Sequence, residues 1–269
     1  MGRADPGQLR KRIVSALILA PVGLAAVWFG GGLLAALVLL AVAGMAWEWA
    51  RICCGGRFGP TGWVMLGAAV ASVGVLAAGA GGIACGIVIA GAVLAGAVAA
   101  VSRSGPPVWV AGGLLWIAVG TMAFLWLALS AGRASLLWLL AVVWASDIAA
   151  YAAGRTLGGP KLAPRLSPNK TWSGAAGGLL AAGLVGILAM RWASVSASAM
   201  VRWSLVLGFA AQVGDLVEST AKRHFGVKDS SGLIPGHGGL LDRLDGLLVA
   251  AAAAAALCLA AGNSPLPAN

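Results

Sequence analysis

Carboxylates are scarce in this chain. Its 269 residues hold eight Asp and Glu against eighteen Lys and Arg, and charged residues make up 10%, where a soluble domain carries about 25%. That shortage excludes an ordinary soluble globular domain. Cysteine is almost as sparse: Cys53, Cys54, Cys85 and Cys258 show no paired metal-ligand spacing, which leaves them as small apolar packers without a disulfide framework. No compact basic segment stands outside the apolar runs, so the formal net charge of +10 does not mark a nucleic-acid binder.

What fills the chain instead is hydrocarbon. Hydrophobic residues are 60% of it and the mean hydropathy is +0.94. A bilayer core about 30 Å thick needs roughly 20 mostly apolar residues per spanning helix. Nine such runs are legible: Ile13 to Phe29, Leu33 to Ile52, Trp63 to Ala78, Ile83 to Val101, Val108 to Leu129, Leu136 to Arg155, Gly174 to Met190, Trp203 to Ala221 and Leu247 to Ala261. The third is short and rich in glycine, so the pattern admits eight spans as well as nine. The expected fold is all-α, a polytopic transmembrane helical protein. The first run, with Arg10-Lys11-Arg12 before it, reads as a retained span and not as a cleaved signal peptide, because further spans follow at once.

Basic residues in short loops stay cytoplasmic. With nine spans and the N-terminus inside, fifteen Lys and Arg fall on the inner side, and only Arg133, Arg191 and Arg202 fall outside. That asymmetry predicts a cytoplasmic N-terminus and an inner face suited to anionic lipid. Glycine and alanine crowd the spans, and spacings such as Gly174 to Gly178 are packing signals first. By loop content the chain divides into residues 1–134, five spans serving as scaffold, and residues 135–269, four spans with two long inner loops.

Those two loops, Gly154 to Ser173 and Lys222 to Gly246, hold the chemistry. The 35 residues from Gln212 to Gly246 contain five of the eight carboxylates, Asp215, Glu218, Asp229, Asp242 and Asp245, and both histidines, His224 and His237. Asp215, Glu218 and Lys222 fall at i, i+3 and i+7, on one helix face. Asp242 and Asp245 are again three apart, with Arg243 between them, and Asp147, Tyr151 and Arg155 form a polar stripe in the sixth span. Ionisable groups at such depth usually line a site. Carboxylates converging in oxygen-only company suit a hard cation such as Mg²⁺. The interleaved Lys222, Arg223, Lys228 and Arg243 suit phosphate oxygens, and Gly236, Gly238 and Gly239 permit close approach of backbone N–H groups. Together these point to phosphoryl or nucleotidyl transfer to a lipid.

The run Ser219-x-x-Lys222-Arg223, Lys228-Asp229, Pro235-Gly236-His237-Gly238-Gly239, Asp242-Arg243-x-Asp245 resembles the phosphatidate cytidylyltransferase, or CDP-diacylglycerol synthase, family. Ser167-Pro168-Asn169-Lys170-Thr171-Trp172 and the Asp147-to-Arg155 stripe are similar to that family as well. The likeness covers roughly the last 130 residues. One position departs: a glutamate is expected after Lys170-Thr171-Trp172, and this chain has Ser173. Substitution of Ser173 is accordingly expected to matter little.

The resemblance implies a homodimeric enzyme that converts CTP and phosphatidic acid to CDP-diacylglycerol and pyrophosphate, and the short length without soluble appendages suits a bacterial plasma-membrane location. It implies Mg²⁺, with K⁺ as a second ion, and Asp215, Asp242 and Asp245 as metal ligands. Lys222 and Arg223 are then catalytic phosphate contacts. Lys170, Ser219, Lys228, His237 and Arg243 are expected to bind substrate, and Asp229 to orient the loop. Arg155, Lys161 and Arg165 read as topology and headgroup charges, His224 as an interfacial polar group, and Glu48, between Trp47 and Trp49, as a marker of the membrane interface.

Other classes compete. A transporter buries acids too, but near the midplane and often in inverted repeats, of which none is visible here. A CTP-dependent polyprenol kinase would release CDP in place of pyrophosphate. A CDP-alcohol phosphotransferase expects D-G-x-x-A-R followed by spaced aspartates, which is absent.

Overall fold

The structure, a computed structural model, describes residues 6–262 and 264–266. Among them lie nine α-helices: α1 (Pro6–Phe29), α2 (Gly31–Cys53), α3 (Pro60–Ala77), α4 (Gly81–Ser102), α5 (Pro107–Ser130), α6 (Gly132–Thr156), α7 (Trp172–Ala189), α8 (Ala197–His224) and α9 (Leu241–Ala261). Eight of them, α2 to α9, are long and apolar enough to cross a membrane, α7 together with the 3-10 turn Met190–Trp192. In α1 the described apolar stretch is Val14–Phe29. The chain is a nearly all-α polytopic membrane protein. The glycine-rich α3, with 18 residues, is among the eight.

Helix ends follow the breakers. Gly30 (φ 63°) and Gly31 (φ 54°) supply the left-handed backbone that separates α1 from α2. After α6, Gly158 (φ 62°) and Gly159 (φ 101°) do the same, and the chain enters an antiparallel hairpin of β1 (Lys161–Ala163) and β2 (Ser167–Thr171), with Lys161 opposite Thr171. Only a loop was expected there. Thr171 ends the hairpin by capping α7, its hydroxyl accepting from Gly174 N at 3.1 Å.

The chain forms two compact units, a division unlike the one drawn from loop content. One takes in the chain up to Ala118 together with His224–Leu244; the other takes in Val119–Arg223 and Asp245–Asn269. In the first, Trp49 on α2 is 2% exposed and donates from Nε1 to Trp109 O at 2.9 Å, and its ring meets Trp116 edge-on at 5.6 Å. A side chain at Gly113 of α5 would collide with the Trp49 indole, so that glycine lets α5 lie against α2.

The second unit is knitted by close backbone approach. A Cβ at Gly174 would meet Ala150 O at 2.7 Å and one at Gly178 would meet Ser146 O at 2.9 Å, so the Gly-x-x-x-Gly spacing does pack α7 on α6. Gly186 of α7 stands against Val201 and Ser204 of α8. Polar side chains add interhelical bonds: Trp138 Nε1 donates to Ser204 Oγ at 3.0 Å, and Gln212 Nε2 to Ala175 O at 3.1 Å. On α8 and α9, Gly214 faces the Asp245 carbonyl and Gly246 faces the Ala211 carbonyl, with no room for a Cβ at Gly214. Other glycines, among them Gly67, Gly86 and Gly112, have open space where a side chain would begin.

Candidate active site

The α8–α9 contact brings acids together. Asp215 and Glu218, one turn apart on α8, and Asp245 on α9 each offer an oxygen, and these oxygens lie within 4.8 Å of one another. At Mg–O distances near 2.1 Å, opposite ligands of one ion stand about 4 Å apart, so three oxygens at this spacing and of this chemistry fit a divalent cation. Glu218 is 1% exposed and Asp215 half-buried. Asp147 on α6 lies within electrostatic reach of Asp215, Lys170 and Asp245.

Two ammonium groups partly offset these charges. Lys170, in β2, pairs with Asp215 Oδ2 at 2.5 Å, and Lys222 pairs with Glu218 Oε2 at 2.5 Å, one turn along α8. Four carboxylates against two lysines leave a formal charge of −2, the complement of one divalent ion. Ser219 donates to Asp215 Oδ1 at 3.4 Å. Arg223 Nε donates to Leu166 O at 3.3 Å, so the hairpin is tied to α8 through Lys170 and again through Arg223. Its base is held by Ser173, whose hydroxyl donates to Gly158 O and bonds Thr171 Oγ1 at 2.9 Å. The residue standing where glutamate was expected is thus a hairpin staple with two partners.

The second acidic centre lies in the first unit and is built differently. Asp242, at the start of α9, accepts at Oδ2 from Ser230 N (2.9 Å), Ser230 Oγ (3.0 Å) and Gly239 N (2.7 Å). Glu48, on α2, is 0% exposed and accepts from Ser231 Oγ (2.5 Å), Ser230 Oγ (3.3 Å), Leu240 N (2.8 Å) and Leu241 N (2.7 Å). The side chain is thus held inside the protein by the 230–241 segment. A carboxylate with four donors is satisfied in the protein interior, where an unpaired one would not survive. Between these two acids the loop makes a tight turn, Ile234 N donating to Gly238 O at 2.8 Å, with Gly236 (φ 79°) and Gly238 (φ 85°) in left-handed backbone.

The remaining expected residues take the following places. Arg243 clamps the turn, donating to His237 O from Nε at 3.0 Å and from Nη2 at 2.7 Å. Lys228 and Asp229 are exposed on the loop. His224 stacks on Trp109 with ring centroids 4.7 Å apart. Arg155 donates to Tyr151 Oη at 3.4 Å. A groove of about 630 Å³ runs beside the turn, lined on α1 by Arg10, Val14 and Ile18 and on the loop by Leu233 and Pro235.

The structure therefore gathers Asp215, Asp245, Lys170, Ser219 and Lys222 of the expected set, and places Asp242, His237 and Arg243 in the other unit. Two acids were underread in sequence. Glu218 has its signal in the i, i+3 spacing from Asp215, a spacing that by itself marks a helix face and not a ligand set. Glu48 had only its oddity, a carboxylate inside an apolar run.

Helices of this number and polarity define a multi-pass membrane protein, and its second unit holds a lysine-paired carboxylate cluster. Comparison with known proteins narrows the class. Residues 10–261 match the model of the cytidylyltransferase family, and the chain belongs to that family. It is 35% identical over 268 residues to the phosphatidate cytidylyltransferase of Pseudomonas aeruginosa, covering 94% of this chain and 98% of that one. It is 57% identical over 122 residues to the enzyme of the same name from Brucella suis, and 40% identical over 137 residues to that of Staphylococcus saprophyticus. Those two matches span 45% and 52% of the relatives' own lengths.

Proposed function

We propose that this chain is a phosphatidate cytidylyltransferase, which transfers CMP from CTP to phosphatidic acid to give CDP-diacylglycerol and pyrophosphate. The observation that carries the reading is the cluster of Asp215, Glu218 and Asp245 with Lys170 and Lys222 beside it, in a chain of the cytidylyltransferase family.

A phosphate monoester is mostly ionised near neutral pH, its second pKa being about 6. Its oxygen can attack the α-phosphorus of CTP without a strong protein base. The protein's work is then alignment and charge neutralisation. Asp215, Glu218 and Asp245 would hold Mg²⁺, and the bound ion would neutralise charge on the triphosphate and the leaving pyrophosphate. Lys170, Lys222 and Arg223 present cationic groups to phosphate oxygens, Lys170 from the hairpin and Lys222 and Arg223 from α8. Ser219 orients Asp215. Asp242, expected as a third ligand, contributes by holding Ser230 and Gly239, which shapes the turn. K⁺ is proposed as a second ion on the family resemblance alone. The α1 groove, cationic at Arg10 and apolar along Val14 and Ile18, has the chemistry to seat an acyl chain beneath a phosphate. The distribution of basic residues supports a cytoplasmic N-terminus with both active-site loops on the inner face of a bacterial plasma membrane, and the resemblance supports a homodimer.

The test is pyrophosphate release by purified protein in detergent given CTP, phosphatidic acid and Mg²⁺, beside metal-free and Asp215→Ala controls. Release that needs both lipid and metal and is lost in the variant is the expected result. CDP in place of pyrophosphate would establish a kinase, and lipid or ion flux without nucleotide turnover a transporter.

A further inference from the structure

Glu48 stands outside the run that carries the family likeness, and its sequence neighbours are apolar and aromatic. In the structure it accepts four hydrogen bonds. Two of its donors are the backbone amides of Leu240 and Leu241, where α9 begins, so a side chain from α2 caps a helix almost 200 residues further along the chain. The other two are the hydroxyls of Ser230 and Ser231. Ser230 is shared: its Oγ lies at 3.3 Å from Glu48 and at 3.0 Å from Asp242, and its amide donates to Asp242 as well. Ser231 passes the restraint on, since its Oγ accepts from Leu233 N at 3.0 Å. Gly239 completes the fit, because a Cβ there would stand 2.6 Å from Glu48 Oε1. Both ends of the turn from Ser230 to Leu241 are therefore pinned to one carboxylate on a different helix.

We propose that Glu48 is a positioning residue for the transfer reaction: it fixes where the Gly236–Gly239 turn and Asp242 stand, and it acts through Asp242 and not on substrate. The kinetic half of this inference rests on the cytidylyltransferase reading; the structural half does not. A residue that acts through a partner shows non-additive losses with that partner, whereas an independent one shows additive losses. Removing a charged acceptor from several donors also raises local opening without global unfolding.

The experiment compares wild type, Glu48→Gln, Glu48→Asp, Asp242→Asn and the Glu48→Gln/Asp242→Asn pair, all purified in detergent. Backbone hydrogen exchange is followed in the 229–241 segment alongside steady-state pyrophosphate release. Exchange in that segment is expected to rise about tenfold or more in Glu48→Gln while exchange in α3 and α4 stays unchanged. The turnover number is expected to fall at least tenfold, to recover partly in Glu48→Asp, and to fall no further in the double variant than in Asp242→Asn. Unchanged exchange in 229–241, or losses that multiply in the double variant, would overturn the proposal. Should Glu48→Gln not fold, Ser231→Ala and Ser230→Ala each delete one of its bonds and are read by the same two measurements. Absence of turnover in the wild type would sink the cytidylyltransferase reading, and the exchange data would still decide the role of Glu48.

Discussion

At the scale of single residues, the acids of this protein divide by what answers them. Asp215 and Glu218 are answered by ammonium groups, which a divalent ion can supplant, whereas Asp242 and Glu48 are answered by amides and hydroxyls that belong to a loop. The distinction yields a prediction for Glu218. Glu218→Gln keeps shape and removes charge, so the Mg²⁺ concentration for half-maximal activity should rise roughly tenfold or more, by the scale at which metal sites respond to loss of an anionic partner. A magnesium titration of pyrophosphate release checks this, and an unchanged midpoint would remove Glu218 from the ligand set. Asp215 and Asp245 were readable from motif and spacing. Glu48 was not, because its meaning depends on contacts to residues 230–241 that no local pattern encodes.

At the scale of elements, the site exists because two helices touch. Asp215 and Glu218 reach Asp245 only because Gly214 allows α8 to lie on the Asp245–Gly246 backbone of α9. The obstacles to a Cβ there are main-chain atoms, which cannot swing aside as a side chain can. Gly214→Ala should therefore cost about 1–3 kcal/mol through overpacking and should weaken the metal dependence by parting the acids. A thermal melt and the same magnesium titration would test both, and a variant equal to wild type in each would show that α9 shifts freely. The helices themselves were plain in the sequence: each expected run has its helix, with ends displaced by a few residues. At the site the displacement matters most in α9, which begins at Leu241 and not near Leu247, so that Asp242 and Asp245 belong to its first turns. Charged residues there lowered the local hydropathy while the backbone was already helical. The β1–β2 hairpin was hidden for a related reason, since strands of three and five residues among prolines and lysines show neither alternation nor apolar content.

At the scale of the whole molecule, the charge asymmetry makes a topological prediction. A cysteine placed at Lys161 should be labelled by a membrane-impermeant maleimide only after the cells are opened, and one at Ser194 should be labelled in intact cells. Native thiols leave this readable in a Cys85→Ala background. Cys53, Cys54 and Cys258 are buried, and burial pushes the Cys54 thiol up, against the pull of its hydrogen bond to Ser104, which disfavours the reactive thiolate. Labelling of Lys161→Cys from outside would invert the assignment and move both loops to the other face.

The glycines of these helices carry a practical consequence for anyone wishing to keep the protein alive outside its membrane. Gly214, Gly174 and Gly178 are fixed by the atoms against them, but Gly67, Gly86 and Gly112 sit in ordinary helical backbone facing nothing in the chain. At such positions alanine narrows the unfolded ensemble by about 0.4–1 kcal/mol each. Hardening of the molecule for detergent can thus be confined to glycines with open space beside them, leaving untouched those that hold the acids in register.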